Sequence, residues 1–197
     1  MHYPNGKKRM TTNQYKNTMN QPTNFGKRGM TLENDINETN KYYLERNLAV
    51  VHKKPTPVQI VQVDYPKRSA AVIREAYFKQ ASTTDYNGLY KGKYIDFEAK
   101  ETRSRTSFPL ANIHQHQVDH MRSVAAHAGI CFLIIRLQNQ EESFLLPAEQ
   151  FFPYWDQQFQ GGRKSIPIDA IKEHGYKIPF SLQAKVDYLK VIDQVYF

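Results

Sequence analysis

The first regular pattern along the chain is a set of apolar residues at helical spacing, Leu32, Ile36, Tyr43 and Leu44. Thr31 stands just before them and belongs to the residue types favoured at a helix N-cap. Glu33 and Asp35 follow in the first turn, where exposed backbone N–H groups favour carboxylates. The pattern predicts a helix over residues 31–46.

Extended segments follow this helix. Leu48–Val51 is apolar and predicts a buried strand. The run 58–63 and the run 71–79 are rich in β-branched and aromatic residues, with a turn at 66–69 between them. These runs predict a two-stranded excursion over residues 57–80, and two interpretations of it stay open: a basic probe of DNA or an ordinary hairpin of the main sheet.

The second half of the chain predicts a strand–helix–strand unit. Residues 93–100 alternate between polar and apolar, as in a strand. Asn112 is placed to cap a helix that runs to Ala128, with Gly129 as its C-terminal glycine, and the apolar run 130–137 follows as a strand. Weaker patterns predict further elements, namely a strand at 144–146 and helices at 148–159 and 186–195. Together they predict one mixed α/β domain over residues 30–197.

Composition narrows the partner class. The 197 residues carry a formal charge of +8, with a pI near 9.4, and are too few for two ordinary domains. Basic proteins gain affinity for polyanions by releasing counterions from phosphates, so nucleic acid is the favoured class of partner. A basic protein without a nucleic-acid role stays open at this point.

Two features concern the cell compartment. Cys131 is the single cysteine and lies in an apolar run, which predicts a buried thiol without a disulfide. The chain has no apolar run long enough to span a membrane. Both observations predict a cytoplasmic protein.

Residues 1–29 contain six Lys and Arg residues and no acidic residue. With little apolar content to bury, the segment predicts a disordered basic arm. Two interpretations stay open, an arm that closes over DNA and a solvated tail.

Three residues suggest catalytic chemistry. Asp85 precedes one predicted strand, and Glu98 and Lys100 stand two apart on the next, so their side chains share a face. A neighbouring strand can bring Asp85 beside them. Carboxylate oxygens suit Mg²⁺, and a lysine can orient a nucleophile or neutralise transition-state charge. The alternative is a solvated strand with alternating charges.

Several blocks in the same order resemble the RecU family, and the resemblance extends from about residue 26 to the C-terminus. These blocks are residues 53–60 (KKPTPVQI), 83–88 (TTDYNG), 95–101 (IDFEAKE), 106–109 (TSFP) and 112–118 (NIHQHQV). The resemblance implies a restriction-endonuclease-like α/β core with a mixed central sheet flanked by helices. It also implies a Holliday junction resolvase that cuts DNA symmetrically as a homodimer, with Mg²⁺, or alternatively Mn²⁺, as cofactor.

The resemblance also assigns roles. It implies a metal site formed by Thr83, Asp85, Glu98 and Gln117. It makes Lys100 the transition-state stabiliser and implies that residues 57–80 form a protruding stalk carrying Lys67 and Arg68 to the DNA. Glu33 corresponds to an acid near the metal in related nucleases, although a helix N-terminus favours a glutamate without any catalytic role.

Other interpretations compete. His116 and His120 lie four residues apart and could hold zinc, but no cysteine cluster or protease motif accompanies them. Aromatic residues on the predicted helices could stack on bases, but such clusters usually form cores. They are Tyr42, Tyr43, Phe151, Phe152, Tyr154 and Trp155. Two other functions also remain: a general duplex endonuclease, and a non-catalytic junction-binding or strand-annealing factor that modulates the RecA recombinase.

Overall fold

The structure is a computed structural model that describes residues 31–79 and 83–197. The basic arm predicted for residues 1–29 lies outside the described residues. Within the described ranges, every helix is too short or too polar to cross a membrane.

Five helices and ten strands are described. The helices are α1 (Leu32–Glu45), α2 (Gln115–Ala126), α3 (Ala148–Gln157), α4 (Ile168–His174) and α5 (Tyr188–Tyr196). The strands are β1 (Val50–Lys53), β2 (Val58–Asp64), β3 (Val72–Phe78), β4 (Tyr86–Tyr90), β5 (Lys93–Thr102), β6 (Ser107–Pro109), β7 (Ile130–Leu137), β8 (Glu142–Pro147), β9 (Ser165–Pro167) and β10 (Tyr176–Lys177).

The central sheet has six strands in the order β1-β4-β5-β7-β8-β10. The pair β5 and β7 is parallel, and α2 makes the crossover between them, as a parallel connection requires. The other neighbours pair antiparallel. The predicted mixed sheet flanked by helices is therefore confirmed.

Two hydrophobic cores cover the two faces of this sheet. On one face, α1 and α5 pack on the apolar residues Ile95, Phe97 and Ile130. On the other, α2, α3 and α4 pack around a second core that includes Cys131 and Leu133. Because β7 is buried on both faces, its sequence is apolar at almost every position. Cys131 is a buried core residue, as predicted.

The ends of α2 differ from the prediction. Asn112 is not the N-cap; it ends a short 3₁₀ turn, and His114 caps the helix together with the side chain of Gln117. At the other end, Ala128 takes the left-handed conformation, with φ of 62°. Gly129 is needed for space, because a Cβ there would lie 2.4 Å from Val124 Cγ1. The chain therefore turns away from α2 with Gly129 packed closely against Val124.

Strand β1 begins two residues later than the predicted strand over 48–51. Its position is set by antiparallel pairing with β4, in which Lys53 lies opposite Tyr86. The shift places the following residue, Lys54, beside the start of β4, where its N–H donates to the Asp85 carbonyl at 2.7 Å.

Strands β2 and β3 form a separate two-stranded antiparallel sheet with irregular register between Ile60 and Val63. They lie in the range predicted for the excursion. All seven residues of β3 are exposed, so this ribbon does not contribute to either core. Lys67 is exposed in the connection between the strands, and Arg68 begins the 3₁₀ turn there.

Candidate active site

Strand β5 places the candidate residues on one face of the sheet. Alternate positions Ile95 and Phe97 enter the core under α1 and α5. The positions between and after them, Asp96, Glu98 and Lys100, point to the opposite face, where α2 packs. The two-residue spacing thus aligns three charged side chains along one strand.

Glu98 is the centre of the site and is fully buried, with 0% exposure. Its Oε2 accepts a hydrogen bond from the Asp85 N–H at 3.0 Å. Its Oε1 lies 2.5 Å from Lys100 Nζ. Asp85 is half-buried and directly precedes β4, which pairs with β5. The structure therefore brings Asp85, Glu98 and Lys100 together.

The surroundings of Glu98 disfavour its ionised form. Burial raises the pKa of its carboxyl to about 7, and the nearby Asp85 charge adds to the rise. The Lys100 ammonium acts in the opposite direction. Burying an isolated carboxylate costs free energy, so a cation close to the oxygens of Glu98 would stabilise its ionised form.

Glu33 is linked to this group through Tyr86, whose hydroxyl donates to the Glu33 carbonyl at 3.5 Å. It forms an ion pair with Lys53 at 2.5 Å. Burial raises the pKa of the Tyr86 phenol, and the charges of Glu33, Asp85 and Glu98 raise it further. The Tyr86 phenol is therefore under the electrostatic influence of three carboxylates, from α1, the residue before β4, and β5.

Thr83 and Gln117 make other contacts. The Thr83 hydroxyl donates to the Thr84 carbonyl at 3.3 Å. Gln117 is buried in the first turn of α2, and its Oε1 accepts from the His114 N–H at 2.9 Å. In the part of the chain that the structure describes, no hydrogen bond joins either residue to Asp85 or Glu98. Their metal-binding roles remain predictions.

The oxygen atoms present fit a hard divalent cation. The Asp85 carboxylate interacts with the Glu98 carboxyl, which raises the Glu98 pKa, and no salt bridge to a cationic side chain is found for it within residues 31–79 and 83–197. Glu98 Oε1 is buried without a hydrogen bond there and has the Lys100 ammonium as its charged neighbour. Among these residues no three Asp, Glu, His or Cys side chains converge as ligands. A metal held by the two carboxylates would therefore need neutral oxygens and water as well.

The sequence reasoning missed a second polar cluster, centred on Asp96. This carboxylate has 0% exposure and accepts hydrogen bonds from Lys54 Nζ at 2.8 Å and Tyr94 Oη at 2.9 Å. The Thr84 hydroxyl donates to it, and His120 Nε2 lies 3.1 Å away. Asp96 stands two residues before Glu98, so the strand periodicity that aligned Glu98 with Lys100 could have identified it.

His116 and His120, the pair considered as zinc ligands, contact different residues. His120 contacts Asp96, whereas His116 stacks on His114 with ring centroids 5.5 Å apart. Burial lowers the pKa of His116, and His114 lowers it further. The two imidazoles therefore have different environments.

The fold and this cluster define an α/β protein with a candidate two-carboxylate metal centre. The family model described as Recombination protein U matches residues 27–194. The chain belongs to the RecU family.

Two relatives named Holliday junction resolvase RecU illustrate the similarity. That of Oceanobacillus iheyensis is 59% identical over 197 residues and covers 100% of both chains. That of a Geobacillus species is 58% identical over 195 residues, 99% of this chain and 97% of the relative. The solved structure of Archaeoglobus fulgidus Hjc, a Holliday junction resolvase, has 8% identity and a TM-score of 0.40, covering 70% of this chain and 90% of that one. That structural likeness is too weak to support an inference.

Proposed function

We propose that this protein is a Holliday junction resolvase, an endonuclease that hydrolyses phosphodiesters of four-way DNA junctions with the aid of a divalent metal. The observation that carries the proposal is the convergence of Asp85, Glu98 and Lys100 on one face of the sheet. Two carboxylates and a lysine supply what phosphodiester hydrolysis requires, a cation site and a positive group for the transition state. Membership of the RecU family supports the choice of substrate.

Asp85 and Glu98 are the proposed carboxylate ligands, with Thr83 and Gln117 as further oxygen ligands. Mg²⁺ is the proposed ion, since it prefers oxygen ligands and retains several waters, and Mn²⁺ is the alternative. When bound, such an ion polarises the phosphate and lowers the pKa of a coordinated water.

Lys100 has two roles in this proposal. Its ammonium forms an ion pair with Glu98 Oε1 at 2.5 Å. During hydrolysis it is the group that orients the attacking water or stabilises the charge that develops on the phosphate. The low exposure of Glu98 strengthens both interactions, because few waters compete for these charges.

The junction itself suggests how the ribbon and the dimer act. A four-way junction has approximate twofold symmetry, so an isologous homodimer would present two equivalent sites to opposing strands and give symmetric nicks. Lys67, exposed in the β2–β3 connection, and Arg68 beside it are proposed to contact DNA phosphates. Modulation of RecA is a further hypothesis.

The proposal is tested with a labelled four-way junction and a linear duplex of equal length. We expect paired symmetric nicks in the junction, little cleavage of the duplex, and loss of all nicking when EDTA removes the metal. Equal cleavage of both substrates would instead indicate a general duplex endonuclease. A junction that is bound but never cut, whatever metal is supplied, would move the function to junction binding.

The same substrates test the ribbon. The double variant Lys67→Ala, Arg68→Ala is expected to weaken junction binding more than duplex binding and to flatten its salt dependence, since each phosphate contact releases counterions. Lys41→Ala, Arg46→Ala removes the same two charges from exposed positions at the end of α1 and is the charge-matched control. An unchanged junction affinity in the double variant would remove the ribbon from the DNA interface.

Metal binding is expected to depend on pH through Glu98. With a carboxyl pKa of about 7, the metal must displace a proton below neutrality, so affinity should fall about tenfold per pH unit there. Calorimetric titration of Mn²⁺ in buffers of different ionisation enthalpy counts that proton. Glu142→Gln, a change in a glutamate ion-paired with Lys177, is the control and should keep the pH dependence. Constant affinity below neutrality would contradict a raised Glu98 pKa.

The same shift has a consequence for stability. Because the pKa of Glu98 is raised from 4.5 to about 7 in the folded protein, its neutral form is the favoured one. Its contribution to the stability of the metal-free protein is therefore fully present below pH 4.5 and is lost as pH rises through about 7.

A further inference from the structure

The segment that carries Asp85 has its main chain fixed from two sides. The Lys54 N–H donates to the Asp85 carbonyl at 2.7 Å, and the Asp85 N–H donates to Glu98 Oε2 at 3.0 Å. These bonds hold the backbone of Asp85 between β1 and β5. They leave its carboxylate facing the Glu98 carboxyl, with no salt bridge to a cationic side chain in the described part of the chain.

Thr84 fixes the same segment through its side chain. It is buried at 2% exposure, and its hydroxyl meets both Lys54 Nζ, at 3.1 Å, and the Asp96 carboxylate. Lys54 therefore contacts this segment twice, through its backbone at Asp85 and through its ammonium at Thr84. The first contact holds the proposed metal ligand itself, and the second holds the residue before it.

Asp96 organises this arrangement without access to substrate. It is fully buried, and Lys54, Tyr94, Thr84 and His120 all contact its carboxylate. A buried ion pair usually adds little net stability over an apolar pair of the same size, because desolvation offsets the attraction. Such a pair is better explained by the geometry that it imposes, here on Thr84 and hence on Asp85.

We propose that Thr84, Lys54 and Asp96 are positioning residues that set the place of the Asp85 carboxylate relative to Glu98. This inference rests on the proposed function, in which Asp85 and Glu98 hold the metal. In this proposal the polar network acts through Asp85, and its central carboxylate, Asp96, is fully buried. Outer partners of metal ligands typically change metal affinity or activity about 10- to 100-fold when they are removed.

Thr84→Val tests the proposal, because valine has nearly the shape of threonine but no hydroxyl. We expect Mn²⁺ affinity, measured calorimetrically on the full chain, to fall about 10- to 100-fold. The single-turnover cleavage rate of prebound junction should fall in parallel, while metal-free junction affinity stays unchanged. Thr84→Ser retains the hydroxyl and is expected to restore metal affinity to within a few-fold.

Thr39→Val is the matched control. Thr39 is also fully buried, and its hydroxyl accepts from the Val186 N–H at 3.2 Å in the contact between α1 and the segment before α5. It should lower the unfolding temperature and leave metal affinity unchanged. Unfolding curves report whether each variant is folded. If Thr84→Val does not fold, Asp96→Asn tests the proposal instead, through the same metal affinity and cleavage rate.

Combining Thr84→Val with Asp96→Asn gives a second readout. If both act through the position of Asp85, the double variant should lose less than the product of the two single losses. Normal metal affinity in folded Thr84→Val and Asp96→Asn would overturn the inference, as would failure of Thr84→Ser to rescue. Asp85→Asn distinguishes failure of this inference from failure of the proposed function. If it also leaves metal affinity unchanged, the proposed metal site itself is wrong.

Discussion

Lys100→Ala is expected to lower the cleavage rate of a bound four-way junction by about 100- to 1000-fold, with binding retained. The reason is the loss of a positive group aimed at the charge that develops in the transition state, in a site where water is scarce. Single-turnover rates on saturating protein measure the chemical step apart from binding. Glu98→Gln should lose at least as much, because it removes a proposed metal ligand.

The two variants should differ in metal binding. Glu98→Gln has no ionisable group at this position, so its residual metal affinity should not rise with pH through this site. Lys100→Ala leaves Glu98 buried without its cation, which raises the carboxyl pKa further and moves metal binding to higher pH. The controls are Lys177→Ala and Glu142→Gln, which break another lysine–glutamate ion pair at 2.6 Å. Controls as slow as Lys100→Ala would show a general effect of lost charge.

Phe97→Ala is expected to reduce the free energy of unfolding by about 3–5 kcal/mol. The Phe97 ring is fully buried between Tyr86 and Phe132, stacked on each at a centroid distance of 4.8 Å, and also contacts Tyr188. Its removal would leave a cavity below β5, on the face opposite Glu98. Chemical denaturation followed by circular dichroism measures the loss.

Phe180→Ala is the control for this prediction. Phe180 is 71% exposed, so its truncation should change the free energy of unfolding by less than about 0.5 kcal/mol. A loss for Phe97→Ala that is no larger than for Phe180→Ala would contradict the packing of this aromatic cluster.

Elements with strong local patterns could be predicted from the sequence. Strand β7 coincides with the predicted run 130–137, because an apolar segment of strand length buried on both faces leaves an unambiguous pattern. Helix α1 begins as predicted, with the Thr31 hydroxyl accepting from the Asn34 N–H at 3.3 Å. The convergence of Asp85 with Glu98 and Lys100 also followed from local spacing and one strand pairing.

Features set by distant contacts could not be predicted in this way. The register of β1 depends on β4, so the position of Lys54 beside Asp85 became visible only in the folded sheet. The partners of Asp96 come from the residue after β1, the segment before β4, β5 and α2, which no single periodicity connects. Helix α4 and the strands β6, β9 and β10 have at most seven residues, too few for a distinctive pattern.

The position of α2 beside the candidate site depends on an uncharged residue, Gly129, as well as on charged ones. The Gly129 N–H donates to the Val124 carbonyl at 3.0 Å, and any side chain at position 129 would collide with Val124. Relief of that collision requires Val124 to change rotamer or the C-terminal end of α2, the helix that carries Gln117 and His120, to move away from the sheet. A residue with no functional group thus limits the tolerable distance between helix and sheet, and a mutational survey restricted to polar positions would overlook it.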